Sequence, residues 1–136
     1  MSVGLQVADI LWPVGAGSFL NAFFSTIAAR LEPDGWGTRF PAAMGDLFGG
    51  ELTAERAAAA RDELDTIRAE LREHPPSDVV WDFHDRSKQP PWGDKISGHI
   101  TDLGNYFVTS DGRDLFEVLG EAVDFAVESG RPLRVE

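Results

Sequence analysis

From Ser18 onward, Phe19, Phe23, Ile27 and Leu31 recur every four residues, with Leu20, Phe24 and Ala28 beside them. That spacing predicts a helix whose apolar stripe is too wide for a surface position, so the rest of the chain must be arranged to bury it. Gly15-Ala16-Gly17 breaks what precedes the helix, Ser18 is placed to cap it, and Pro33-Asp34-Gly35-Trp36-Gly37 stops it with strong turn chemistry. A chain of 136 residues buries roughly two-thirds of the surface its unfolded form exposes, enough for one core and too little for a second full domain.

The other segments supply the cover. Val3, Leu5 and Val7 alternate with Gly4, Gln6 and Ala8 and run on into Ile10, Leu11 and Trp12, which predicts a strand. A short helix is expected from Pro41 to about Phe48, ended by Gly49-Gly50. Thr53 then caps a long helix reaching about Arg72, with Leu52 placed as a hydrophobic staple and Ala60, Leu64, Ile67 and Leu71 as the buried seam. Its Arg61, Asp62, Glu63, Asp65, Arg68 and Arg72 read mostly as solvated faces.

Further on, Val79, Trp81 and Phe83 alternate with Val80, Asp82 and His84 as in a half-buried strand. Residues 85–104, with Pro90, Pro91, Gly93, Gly98 and Gly104, form a long loop, a kind of connection that often carries function. Asn105 to Thr109 reads as another strand. Ser110 or Asp111 caps a last helix in which Leu115, Leu119, Ala122, Val123 and Ala126 line up, Gly130 and Pro132 close it, and Leu133 and Val135 can add a terminal strand. The strands are too few and too unevenly spaced for a doubly wound sheet. The expectation is one α+β domain over residues 1–136: a small, mainly antiparallel sheet with three to four helices packed on one face.

Charge narrows the partners. With 23 Asp and Glu against 12 Lys and Arg the formal net charge is −11, which argues against nucleic acid, whose affinity for proteins comes largely from Lys and Arg neutralising phosphates. A basic protein partner is compatible with it. The most acidic stretch is 111–128, with six acids and one base. No run of about eighteen apolar residues offers a membrane span, the first residues lack the basic start of a signal peptide, and the absence of cysteine excludes disulfides and thiolate metal sites. A soluble cytoplasmic protein is expected.

Three places could carry chemistry. The Gly15-Ala16-Gly17-Ser18 turn resembles the start of a phosphate-cradling loop, but Leu20 stands where a dinucleotide fingerprint has Gly and no Gly-Lys-Ser/Thr follows. His84 between Asp82 and Asp85, with His99, Asp94 and Asp102 further along, offers acid/base or zinc-binding groups, yet at no ligand spacing. Neither serine near the first helix sits in a nucleophile elbow. The most unusual stretch is Ser87-Lys88-Gln89-Pro90-Pro91-Trp92-Gly93-Asp94, which puts a tryptophan on a proline-stiffened loop beside Arg86 and Lys88. Such a residue is either a binding hot spot or a lid folded back on the core near Trp81, and Trp36 on its Gly-flanked turn poses the same choice.

Taken together, GSFLNAFFSTIAARLEPDGWGTRFP (17–41), VVWDFHDRSKQPPWGDKIS (79–97) and ITDLGNYFVTSDGRDLFEVL (100–119) resemble the immunity protein 70 family of bacterial polymorphic toxin systems. The resemblance implies an intracellular antidote that binds a cognate toxin domain and blocks it, with no catalysis and no cofactor, and it brings no catalytic residues to carry over; no metal site is expected. The surface expected to meet the toxin is the acidic face of the last helix, Glu117, Glu121, Asp124 and Glu128, with Trp92 and Asp94 of the loop. The alternative is a small enzyme or ligand-binding domain using the His84, Asp82 and Asp85 cluster.

Overall fold

A computed structural model describes residues 2–93 and 95–136. Four strands, β1 (Ser2–Val7), β2 (Ile10–Ala16), β3 (Glu51–Leu52) and β4 (Leu133–Val135), form one sheet in the order β2-β1-β4-β3, antiparallel at every pairing. Three helices, α1 (Gly17–Leu31), α2 (Ala54–Leu71) and α3 (Leu115–Ser129), accompany a π-helical turn at Ala42–Leu47 and a 3-10 turn at Pro76–Asp78. This is the expected α+β arrangement.

The sheet is one-sided because its side chains alternate. Leu5, Val7, Val14, Leu52 and Leu133 are fully buried on one face, while Gln6 pairs with Leu11 and with Arg134 on the other, where Arg134 also reaches Glu51 at 3.0 Å. Helix α3 packs on β1, β2 and β4, and α2 packs on α3. Where one strand was expected over residues 3–12 there is a hairpin, turning at Ala8-Asp9 with Ala8 at φ 52°. A turn of that kind ordinarily announces itself with Gly or Asn, and this one does not. The outer edge of β2 is blunted: Pro13 has no N–H to offer, and the Val14 carbonyl already accepts from the Ser110 N–H at 2.9 Å.

Ten of the fifteen residues of α1 are buried, among them Phe19, Phe23, Phe24, Ile27 and Leu31. Phe23 is the hub, meeting Phe24, Phe107 and Phe116 edge-on with ring centroids 5.4, 5.3 and 5.3 Å away. Ser18 does not cap this helix; Ala16 holds the cap position without a side-chain bond. At the other end Glu32, only 3% exposed, accepts from the N–H groups of Gly37, Arg39 and Phe40 at 2.9, 3.1 and 3.1 Å. Glu63 of α2, read from the sequence as solvated, takes the Ala42 and Ala43 N–H groups, and Arg39 grips Glu70 with both terminal nitrogens at 2.7 and 2.6 Å. Three carboxylates thus fix the connection from α1 to α2. Thr53 caps α2 as expected, accepting from Arg56 N–H.

Residues 79–83 are not a strand. Val80 and Trp81 are buried, but their backbone finds no sheet partner. Instead the Thr26 hydroxyl accepts from Val80 N–H at 3.0 Å and lies 3.1 Å from the Val80 carbonyl and 2.8 Å from its own helix's Ala22 carbonyl. Ser25 Oγ accepts from Phe83 N–H at 3.0 Å. Both hydroxyls belong to α1 and are buried, so the helix supplies the polar partners that a neighbouring strand would have given. The strand expected at 105–109 shrinks to one bridge between Val108 and Asp114, because the turn 109–113 closes on itself through Thr109 N–H to Arg113 O at 2.8 Å and Arg113 N–H to Thr109 Oγ at 3.0 Å. The cap of α3 is accordingly Asp114, accepting from Phe116 and Glu117 N–H, and not Ser110 or Asp111; Asp111 takes the Thr109 hydroxyl. Gly130 ends α3 in the left-handed conformation, φ 68°.

Thr26 is fully buried, so Thr26→Val keeps the shape and strands the Val80 N–H. The expected loss is about 1–3 kcal/mol in urea unfolding, with Thr26→Ser recovering most of it.

Candidate protein-binding surfaces

On α3, the burial of Leu115, Leu119, Ala122, Val123 and Ala126 turns the acids outward, but most of them are already engaged. Asp114 accepts from Arg68 of α2 at 2.9 Å. Glu121 is held by both terminal nitrogens of Arg113 and by the indole N–H of Trp12 at 3.3 Å. The Arg113 hydrogen bond is the main reason its carboxyl sits below the usual glutamate range, against a weaker opposing effect of burial. Asp124 accepts from Arg61 Nε at 3.1 Å, and the same guanidinium reaches Asp65 at 2.6 Å. Arg61 can lie across α3 because residue 120 is glycine: a Cβ there would stand 3.2 Å from its central carbon.

Glu117 and Glu128 differ from these. Both are exposed, and neither is in an ion pair among the described residues. Eleven residues apart, or three helical turns, they share a face about 16 Å long. The uncompensated negative charge of the helix is therefore concentrated at the two ends of one stripe. Between α2 and α3 runs a groove of about 280 Å³ bordered by Arg61, Arg68, Phe116 and Asp124.

In the loop, Trp92 is 39% exposed. Its indole N–H donates to the Tyr106 hydroxyl at 2.9 Å and its ring meets buried Trp81 edge-on at 5.3 Å. It is a lid on the core with one face left outside. Burial raises the Tyr106 hydroxyl above its ordinary value, with the Trp92 bond pulling the other way. Asp94 lies outside the described residues. Trp36 is a packing residue: its N–H donates to the Met44 carbonyl at 2.8 Å, and its ring stands between Phe48 and Phe83 at 4.8 and 5.3 Å.

The His84 cluster is occupied with its own backbone. Asp82 accepts from the His84 N–H at 2.9 Å and stands 3.4 Å from Lys88 Nζ; Asp85 accepts from the Ser87 hydroxyl and N–H. Those bonds hold both carboxyls below the usual range, led by the His84 N–H for Asp82 and the Ser87 hydroxyl for Asp85. The His84 ring packs against Phe83. Among the described residues no group of three or more His, Asp or Glu could hold a metal ion. The turn expected at Gly15–Gly17 is absent: β2 runs through Gly15 and Ala16 straight into α1 at Gly17, and Gly15 lies against Ser110, whose N–H goes to the Val14 carbonyl.

The residues that sequence reasoning missed are the arginines. Arg61, Arg68 and Arg113 decide which acids of α3 remain available, and only Arg61 with Asp65, four apart on one helix, had a local signal.

Glu121 and Glu70 are both held low by their arginines. A lowered carboxyl contributes stability that is complete above the ordinary range, near pH 4, and lost as pH falls through the folded value. Urea midpoints should therefore drop between pH 6 and pH 3, and Glu121→Gln should shrink that drop.

No helix of the described residues is long and apolar enough to cross a membrane. No curated protein sequence and no solved structure matches the chain. The family model described as Immunity protein 70 matches residues 5–135, from β1 through β4 and across every element between them, and the chain therefore belongs to the immunity protein 70 family.

Proposed function

We propose that this chain binds a cognate toxin domain and neutralises it by protein–protein contact, without catalysis, inside the cell that makes it. The observation that carries the reading is family membership over nearly the whole chain. Charge supports it: a −11 chain draws in a basic partner and speeds its capture.

The proposed contacts are Glu117, Glu121, Asp124 and Glu128 on α3 and Trp92 and Asp94 in the loop. They divide by what they must give up. Glu117 and Glu128 need only shed water, whereas Glu121 and Asp124 engage a partner cation by sharing or exchanging Arg113 and Arg61. The first pair is suited to steering, and the second to the fitted contact.

Co-expression with the toxin domain encoded beside this chain should restore growth and yield a complex that co-purifies; absence of both would refute the reading. Glu117→Lys with Glu128→Lys should slow association about tenfold or more at low salt, with the difference shrinking at 0.5 M salt, where the screening length is only a few ångströms. Stopped-flow fluorescence at two salt concentrations measures this.

A further inference from the structure

Three clefts meet around the Trp92 loop. The largest, about 680 Å³, shares Pro90 with a cleft of about 120 Å³ on one side and shares Ile96 and Tyr106 with one of about 300 Å³ on the other. In a chain with 23 acids, no acidic residue among the described ones lines any of the three. Cations stand at both ends instead: Arg30, Arg86 and Lys88 border the small cleft and Lys95 the far one. Lys88 and Lys95 are the only lysines in the sequence.

The two arginines are held by neutral groups. Arg30 Nε donates to the Asp78 carbonyl at 2.8 Å, and the Arg86 guanidinium stands 5.7 Å from the centre of the Phe83 ring. Neither has a carboxylate partner among the described residues, although seven of the other cations do. Acids around them are engaged elsewhere, Glu32 with the N–H groups of Gly37, Arg39 and Phe40, Asp78 with His74, Asp82 with His84 and Lys88, and Asp85 with Ser87. Two oriented guanidinium forks without counter-charge among the described residues, at the mouth of an apolar groove, suit carboxylates borne on an apolar segment.

We infer that this groove binds an extended, apolar segment of a partner protein that carries acidic side chains, with its apolar groups against Pro90, Ile96 and Tyr106 and a carboxylate at Arg30 and Arg86. Its chemistry is opposite to that of α3, so although it borders Trp92, which the toxin reading also uses, what it binds does not depend on what the acidic helix binds.

The probes are three fluorescent nonapeptides: alternating Leu and Glu, alternating Leu and Lys, and alternating Ser and Glu. The Leu/Glu peptide should bind the full chain about tenfold or more tighter than the other two. It should protect Lys88 and Lys95 from amine acetylation read by mass spectrometry, with the N-terminal amine as internal control. Arg30→Gln with Arg86→Gln should abolish the preference, and Arg86→Lys should retain part of it; Arg86→Gln alone serves if the double variant loses its urea midpoint. Equal binding of the three peptides, no binding by any, an unprotected lysine pair, or a preference that survives the arginine changes would overturn the inference. None of those outcomes bears on rescue by co-expression, which tests the toxin reading separately.

Discussion

One helix buried on most of its circumference governs this molecule. Because α1 presents Phe19, Phe23, Phe24, Ile27 and Leu31 over a wide arc, no single neighbour can cover it. Strand β2 and helix α2 take part of the arc, Phe107 and Phe116 close around Phe23, and the segment 79–83 covers the remainder. That last piece is irregular chain, and irregular chain brings unpaired N–H and C=O groups into the interior. Burying them without partners costs a few kcal/mol each. Ser25 and Thr26, the buried polar side chains of α1, answer that cost at Val80 and Phe83. The helix both demands a cover and makes an irregular one tolerable.

This explains which parts of the fold were legible in the sequence. Elements whose signal is local came through: the stripe of α1, the Thr53 cap and seam of α2, the core face and Gly130 stop of α3, and the terminal strand. Elements whose identity is set by a distant partner did not. The alternation at 79–84 is what a half-buried strand would show, and nothing nearby in sequence says that hydroxyls 54 and 58 positions earlier will replace the ladder. Asn105 to Thr109 has strand-like composition, but its carboxyl end is captured by a five-residue turn. Ser110 or Asp111 was the expected cap of α3, and the role fell instead to Asp114, which Arg68 also holds.

The same division applies to the surface. That α3 is acidic follows from counting residues; that Glu117 and Glu128 carry its free charge while Glu121 and Asp124 do not follows only from where Arg113 and Arg61 reach. Among the described residues arginine makes all but one of the Lys/Arg–carboxylate pairs, consistent with a planar fork that holds geometry better than an ammonium. The basic side chains thus serve mainly to set the pattern of acids, and of the five without a carboxylate partner among the described residues three, Arg30, Arg86 and Lys95, border the clefts around Trp92.

The blunted sheet has a further consequence. At one end Pro13 and the Ser110 contact close β2, and at the other β3 is two residues long, so neither margin invites another chain to extend the ladder. Recognition that cannot use main-chain pairing must be written in side chains. A scaffold of this kind can change what its surface recognises by substitutions at exposed positions while its backbone stays as it is.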